Sequence, residues 1–381
     1  MLERTPADLA ETRTLVVETA RAFAREKLAP GAAARERAKA IEPEIIATLG
    51  ELGFLGATVD PEWGGAGLDY LTYAMALEEI AAGDGAVSTL VSVHNSPTCL
   101  ILERFGSRAQ KERFLRPMAT GKAVSCFALT EPQAGSDAAA LRTRAVRDGD
   151  HWVIDGAKQF ISNGRIAKVC VLFAVTDPKA GKKGISCFVV ATDTPGFGVA
   201  RVEEKLGQHA SDTCALVFQG MRVPADALVG AEGEGYRLAL STLESGRIGI
   251  AAQSVGMARA ALDYAVAYAK ERIAFDRPLI EHQAVQFRLV EARTKLEAAR
   301  QLTHLACRRK DAGEPALEAA CMAKLYASEV AEEICSVAIQ TLGGYGYLAD
   351  YPVERIYRDV RVCQIYEGTS DVQKIILGRM L

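Results

Sequence analysis

The 381-residue chain has 49% hydrophobic and 24% charged residues and a formal net charge of −3, ordinary proportions for a globular protein of two or three packed units. That balance leaves no basic footprint for nucleic acid, and no uncharged apolar run reaches the roughly 18–20 residues that cross a bilayer. The opening stretch MLERTPADLAETRT has no apolar signal-peptide core, so a cytoplasmic protein is expected.

The nine cysteines are scattered without a CxxC pair, and the five histidines form no HExxH or comparable spacing. Free buried thiols are expected, with neither a disulfide framework nor a metal site.

From about Pro6 to Ala119 the periodicity is helical. Leu9, Thr12, Leu15, Val16 and Thr19 begin an apolar stripe that Pro30-Gly31 ends. A glycine-rich loop, PEWGGAGLD (61–69), precedes helical patterns over Leu71–Ala82 and Ser88–Phe105. In the middle of the chain the period shortens. Ala123–Leu129, Trp152–Ile154, Val169–Val175, Ile185–Ala191 and Ala215–Phe218 are short Val, Ile, Phe and Cys-rich runs between turn residues, and they predict an antiparallel β unit. After Gly233 three long proline-free helical patterns follow, Glu234–Lys270, Leu279–Ala312 and Leu317–Thr341, as in a helix bundle.

No Walker loop is present. Neither GGAGLDY (64–70) nor GGYGYLA (343–349) completes a dinucleotide fingerprint between strand and helix. Three other segments stand out. CFALTEPQAGSD (126–137) is a strand running into a small-residue turn, and KQFISNG (158–164) is a strand ending in Asn-Gly, itself an ordinary hairpin signal. In QIYEGTSDVQKIIL (364–377), Ser370 and Gln373 match a capping box, which predicts a helix starting near Asp371. Glu367 would then lie just ahead of a helix N-terminus, a place where acids are favoured anyway.

In order and spacing these segments, together with ESGRIGIAAQSVGMA (244–258), RIAFDRPLIEHQAVQF (272–287) and QTLGGYGY (340–347), resemble acyl-CoA dehydrogenases over nearly the whole chain. The resemblance implies a mainly α fold with a central β domain: an N-terminal helical domain (1–121), an antiparallel β-barrel-like domain (122–231) and a C-terminal four-helix bundle (232–381).

It also implies noncovalent FAD in a homotetramer built as a dimer of dimers. Phe127, Leu129, Thr130, Gly135 and Ser136 match a flavin-contacting segment, with Ser136 also facing the CoA moiety. Phe160, Ile161 and Ser162 match the segment along the flavin ring, where relatives carry Trp in place of Phe160 and often Thr in place of Ser162. Arg272, Phe275, Gln283, Gln340, Gly343 and Gly344 match positions through which a neighbouring subunit holds the FAD. Thr369, Ser370 and Asp371 match a further FAD-contacting turn. Glu244, Arg247, Tyr366 and Gly368 match substrate contacts.

By the same resemblance Glu367 is the base of an α,β-dehydrogenation giving a trans-2-enoyl-CoA, with the β-hydrogen leaving as hydride to flavin N5. Some relatives carry the catalytic Glu where this chain has Gly246. Electron-transferring flavoprotein is the implied acceptor. ESGR and VHNSPTCLILERFGS (93–107) look closest to short-chain and branched short-chain members. Two other readings stay open at this stage: an acyl-CoA oxidase, disfavoured by the modest length, and a non-catalytic scaffold, disfavoured by the presence of Glu367, Arg272 and Gln283.

Overall fold

A computed structural model describes residues 6–381; the first five residues of the leader reading lie outside it. Helices fill the first part of the chain, a sheet follows, and long helices make up the remainder.

The first helix, Pro6–Phe23, buries Val17, Ala20 and Phe23, whereas Leu15 is exposed. The apolar stripe therefore runs one position away from the expected one. Tyr70–Gly83 is helical as the periodicity predicts, and Asp69 accepts the Thr72 N–H as its N-cap. The expected Ser88–Phe105 helix is interrupted. Gly85–Val93 and Leu100–Phe105 are separate segments, because Ser96 takes extended backbone angles ahead of Pro97.

Eight strands form the sheet. They are β1 (Ser125–Ala128), β2 (Arg144–Asp148), β3 (His151–Ser162), β4 (Val169–Val175), β5 (Ile185–Ala191), β6 (Phe197–Val202), β7 (Thr213–Pro224) and β8 (Leu228–Val229). Their order is β6-β7-β3-β2-β4-β5-β8, with β1 pairing β4. The all-antiparallel expectation needs correcting, since β1 runs parallel to β4 and β2 makes a parallel pairing with β4 at Arg144 and Val175. The run VCVLFAV in β4 is buried on both faces. Val169, Val171 and Phe173 join a core shared with Leu115 and Met118, while Cys170, Leu172 and Ala174 join a second core with Trp152 and Phe218. A strand covered on both sides reads as a continuous apolar run rather than an alternation. β2 (RAVRD) was not legible because most of its residues are exposed and polar, and β6 (FGVARV) because its valines are exposed and Gly198 and Ala200 break the apolar run.

The helix Gly235–Glu271 is the spine of the C-terminal region, and every residue from Ser245 to Ala258 is buried. The helices Gln283–Asp311 and Leu317–Leu342 pack along it, together with Tyr70–Gly83 from the N-terminal region. Gly256 permits that last approach, since a Cβ there would lie 2.2 Å from the Glu78 carbonyl oxygen. The second long helix begins at Gln283 rather than Leu279. Residues 279–281 form a 3₁₀ turn after a two-stranded hairpin, Ile273–Ala274 with Arg277–Pro278.

All nine cysteines are buried and free. Among the described residues no helix is long and apolar enough to cross a membrane, and no three His, Cys, Asp or Glu side chains gather closely enough to hold a metal.

Candidate active site

The last long helix ends at Leu342, and the chain returns through Pro352–Val360 to a short irregular stretch before the final helix, Ser370–Gly378. Glu367 and Gly368 lie in that stretch with φ of 56° and 88°. Two successive left-handed residues reverse the chain, and a left-handed Glu is held only where its surroundings enforce it. The final helix is capped by Thr369, whose hydroxyl accepts the Val372 N–H at 3.2 Å. This corrects the expected Ser370 cap. Gln373 does not reach back as a capping-box partner either; its Nε2 donates to the carbonyls of Gly368 (2.8 Å) and Glu367 (3.3 Å).

The bend lays the Glu367 carboxyl against the spine helix at Gly246, where an added Cβ would sit 2.5 Å from Oε2 and 2.8 Å from Cδ. Oε2 is shut off from solvent and accepts no hydrogen bond. Burial therefore pushes the carboxyl up to about 7, against the opposing pull of Arg247 and Lys324. Arg247 is itself buried, and its Nε has no partner. Its charge acts on the Glu367 carboxyl, whereas Glu244, three residues earlier on the same helix, is engaged by Lys310 at 2.9 Å. The Tyr366 hydroxyl points inward, within 3.4 Å of Gln253 Oε1 and 3.5 Å of Cys363 Sγ.

Two more residues complete this corner: Lys324, which the sequence did not single out, and Gln373, which it singled out only as a capping partner. Lys324, wholly buried on the Leu317–Leu342 helix, donates to the Gly368 carbonyl at 2.6 Å. Gln373, equally buried, shares that acceptor. The available signal was periodicity: Lys324 falls in line with Ala320, Ala327 and Ala331, all core positions, where a charge needs a reason.

The strand-side residues divide by what they offer. Phe127 meets Phe173 edge-on at 5.0 Å, while Leu129 and Ile161 are buried in the sheet cores, so these three present backbone rather than side chain to a ligand. Gly135 and Ser136 are exposed, and Thr130 and Ser162 are half-buried. Phe160 is left-handed (φ 59°) and 64% exposed. A buried pair ties the two segments together. Lys158 Nζ donates to the Leu129 carbonyl (3.0 Å) and to Glu131 (2.8 Å), and the Gln159 N–H donates to the Thr130 carbonyl.

A second group lies elsewhere on the chain. Arg272, Gln340, Gly343 and Gly344 line a cavity of about 590 Å³ with Tyr268, Leu279 and Leu348, and no strand-side residue lines it. Open space lies beside Gly343 and Gly344. Phe275 and Asp276, both left-handed, form the two-residue tip of the Ile273–Pro278 hairpin, and Phe275 is 89% exposed. Gln283 is exposed at the start of its helix, and Asp371 is exposed in the first turn of the last one.

Family models for the N-terminal, middle and C-terminal domains of acyl-CoA dehydrogenase match residues 10–122, 126–221 and 233–381. The chain is 44% identical to the mitochondrial short-chain specific acyl-CoA dehydrogenase of Bos taurus, over 97% of this chain and 90% of that protein. It superposes with a TM-score of 0.95 on butyryl-CoA dehydrogenase from Megasphaera elsdenii, at 39% identity and covering 100% of this chain and 99% of that one. A chain in the solved structure described as the electron transferring flavoprotein of Acidaminococcus fermentans gives a TM-score of 0.96 at 42% identity, covering 100% and 99%. With full-length identity of this order, the chain belongs to the acyl-CoA dehydrogenase family.

Proposed function

We propose that this acyl-CoA dehydrogenase oxidises a short-chain or branched short-chain acyl-CoA to the trans-2-enoyl-CoA, with Glu367 removing the α-proton. The observation that carries the reading is the Glu367 carboxyl itself: walled in against Gly246, without a hydrogen-bond donor on Oε2, and pushed up to about 7 by burial. A general base works best when its proton affinity lies near the working pH. The substrate class follows the 44% identical short-chain relative and the butyryl-CoA dehydrogenase neighbour. Nothing observed favours the oxidase or the scaffold reading.

FAD is the proposed cofactor, and the residues present fit it. The Ser370 hydroxyl is buried and unpartnered at a helix start whose amides suit an anion. Arg272 and the uncrowded Gly343-Gly344 backbone border the cavity of about 590 Å³, a guanidinium and open backbone that suit a pyrophosphate. Thr130, Ser136, Phe160, Ser162, Thr369 and Ser370 would hold the cofactor on one side. Arg272, Phe275, Gln283, Gln340 and Gly343-Gly344 would serve a neighbouring copy in a homotetramer. The exposed apolar residues Phe275, Phe287, Val290 and Tyr347 speak for such assembly. When bound, FAD supplies the two-electron acceptor that takes the β-hydrogen as hydride. Electron-transferring flavoprotein is the proposed acceptor and the cytoplasm the proposed location.

The chain's own part is proton removal and charge stabilisation. Glu367 takes the α-proton, and negative charge gathers on the thioester oxygen. The Glu367 N–H donates to no group among the described residues, so it is free to meet that oxygen. Arg247 and Lys324 keep the carboxyl chargeable despite its burial.

Anaerobic titration of the FAD-loaded protein with a panel of acyl-CoAs tests the reading. Flavin bleaching by short-chain members, lost in Glu367→Gln, is expected. Bleaching that survives in Glu367→Gln, or that no saturated short-chain acyl-CoA produces, would overturn it.

A further inference from the structure

Lys324 is 0% exposed, on a helix face it shares with the buried Ala320, Cys321, Ala327 and Ser328. Nothing in helix packing asks for an ammonium there, and removing one from water carries a large desolvation penalty. Its single hydrogen bond among the described residues goes to the Gly368 carbonyl, at 2.6 Å. That carbonyl also receives Gln373 Nε2 at 2.8 Å. Two buried donors thus converge on one backbone oxygen, immediately after the left-handed Glu367 and at the left-handed Gly368. Gln373 Nε2 also reaches the Glu367 carbonyl at 3.3 Å, so the two successive peptides that leave Glu367 and Gly368 are both held from the interior and the left-handed bend is kept.

We propose that Lys324 is a positioning residue of the active site: its ammonium anchors the Gly368 carbonyl, holding the bend that lays the Glu367 carboxyl over Gly246, and its charge keeps that carboxyl able to ionise. The proposal rests on Glu367 being the base.

The groups facing this corner from each packed element are few. Arg247 comes from the spine helix and supplies a second cation. Glu244, one turn earlier, is engaged by Lys310. Cys321 lies one turn before Lys324 on the same helix, and Cys363 and Tyr366 lie just before Glu367. Burial pushes all three of these groups up, which leaves them neutral. Asp359 acts on Cys363 from behind, and burial pushes it up too. Lys324 and Arg247 are therefore the cations that oppose the desolvation of Glu367, and removing Lys324 leaves Arg247 alone. Burial also pulls Lys324 down to about 8, as expected of an ammonium with one hydrogen bond and no solvent.

The test uses the FAD-loaded enzyme and two readouts. One is the acid limb of kcat/KM against pH. The other, independent of turnover, is infrared titration of the Glu367 carboxyl band, identified by its absence in Glu367→Gln. In Lys324→Met both titrations move to higher pH by one unit or more, and kcat falls at least tenfold. Gln373→Met removes the other donor without changing charge, so kcat falls while the band titrates as in wild type. Lys324→Gln keeps a donor and loses the charge, and it gives the same upward move where the Met variant fails to fold. A Glu367 band that titrates as in wild type in folded Lys324→Met or Lys324→Gln would overturn the proposal. Full activity in Glu367→Gln would instead overturn the assignment of the base, a separate outcome.

Discussion

The carboxyl of Glu367 occupies the space that a side chain at position 246 would need: a Cβ on Gly246 would lie 2.5 Å from Oε2, 2.8 Å from Cδ and 3.2 Å from Oε1. The first two separations are too short for a real Cβ and the third is tight, and the spine helix, buried from Ser245 to Ala258, cannot draw back. The expectation for Gly246→Ala is therefore a displaced carboxyl in a folded protein. A misplacement of about 1 Å in a catalytic group costs on the order of 10²-fold in rate. Steady-state kinetics of the variant should give a kcat lower by about that factor with FAD content unchanged. A kcat within twofold of wild type would mean that the carboxyl works from another position.

The acid side of the pH profile follows from the same burial. Glu367 is pushed up from 4.5 to about 7 by desolvation, even with Arg247 and Lys324 pulling the other way. The working form of a base is the carboxylate, so kcat/KM should fall about tenfold per unit as pH drops below about 7. The stability sign is the reverse of that for a salt-bridged acid. A raised carboxyl disfavours the charged native state, so its contribution destabilises the fold as pH climbs from the ordinary carboxyl range to about 7. An acid limb near 4.5 in kcat/KM would contradict the burial argument.

How much of this was legible depended on whether local pattern and tertiary surroundings agreed. The bounds of β4 and β5 came directly from VCVLFAV and ISCFVVA, because strands buried on both faces advertise themselves. β2 and β6 were missed because neither is buried enough to need a continuous apolar run: β2 is mostly charged, and in β6 the apolar residues Phe197, Val199 and Val202 are interspersed with Gly198, Ala200 and Arg201. Glu367 stood out only through the motifs around it; a lone Glu ahead of a helix is unremarkable. Lys324 was missed since its meaning depends on a carbonyl 44 residues away. The parallel β1–β4 pairing was equally invisible, because strand direction is set by the path between strands and not by their composition.

The cap of the last helix separates two neighbouring hydroxyls. Thr369 accepts the Val372 N–H, whereas Ser370 Oγ is buried with no partner. Thr369→Ala should lower stability by about 1 kcal/mol, read from the denaturation midpoint. Ser370→Ala should leave stability of the FAD-free protein unchanged or slightly raised, because it removes an unpaired buried polar atom. Its expected effect is weaker FAD retention in a dialysis or fluorescence assay. Equal loss of stability in both variants would restore Ser370 as a capping residue.

The buried pair behind the flavin-side strands sets a last expectation. Lys158 is 0% and Glu131 3% exposed on the side chain, and the pair joins the Leu129–Glu131 segment to β3. Burial alone would raise Glu131, but the Lys158 ammonium and the N–H groups of Thr143 and Arg142 outweigh it and hold the carboxyl at about 2. A depressed carboxyl stabilises the fold fully above its ordinary value of 4.5 and loses that contribution as pH falls toward about 2. Lys158→Met leaves the carboxylate buried with its main counter-charge gone, at a cost of about 3–5 kcal/mol. Replacing both partners by apolar residues should recover much of that loss, since the orphaned charge disappears with its partner. The double variant should nevertheless retain FAD poorly, because the Leu129 carbonyl is no longer tied to β3 while Thr130 and Phe160 lie on either side of the break. Thermal unfolding of the wild type, Lys158→Met and the double variant with and without added FAD separates the two effects. A double variant as unstable as Lys158→Met would show that the strand link, rather than the uncompensated charge, carries the energy.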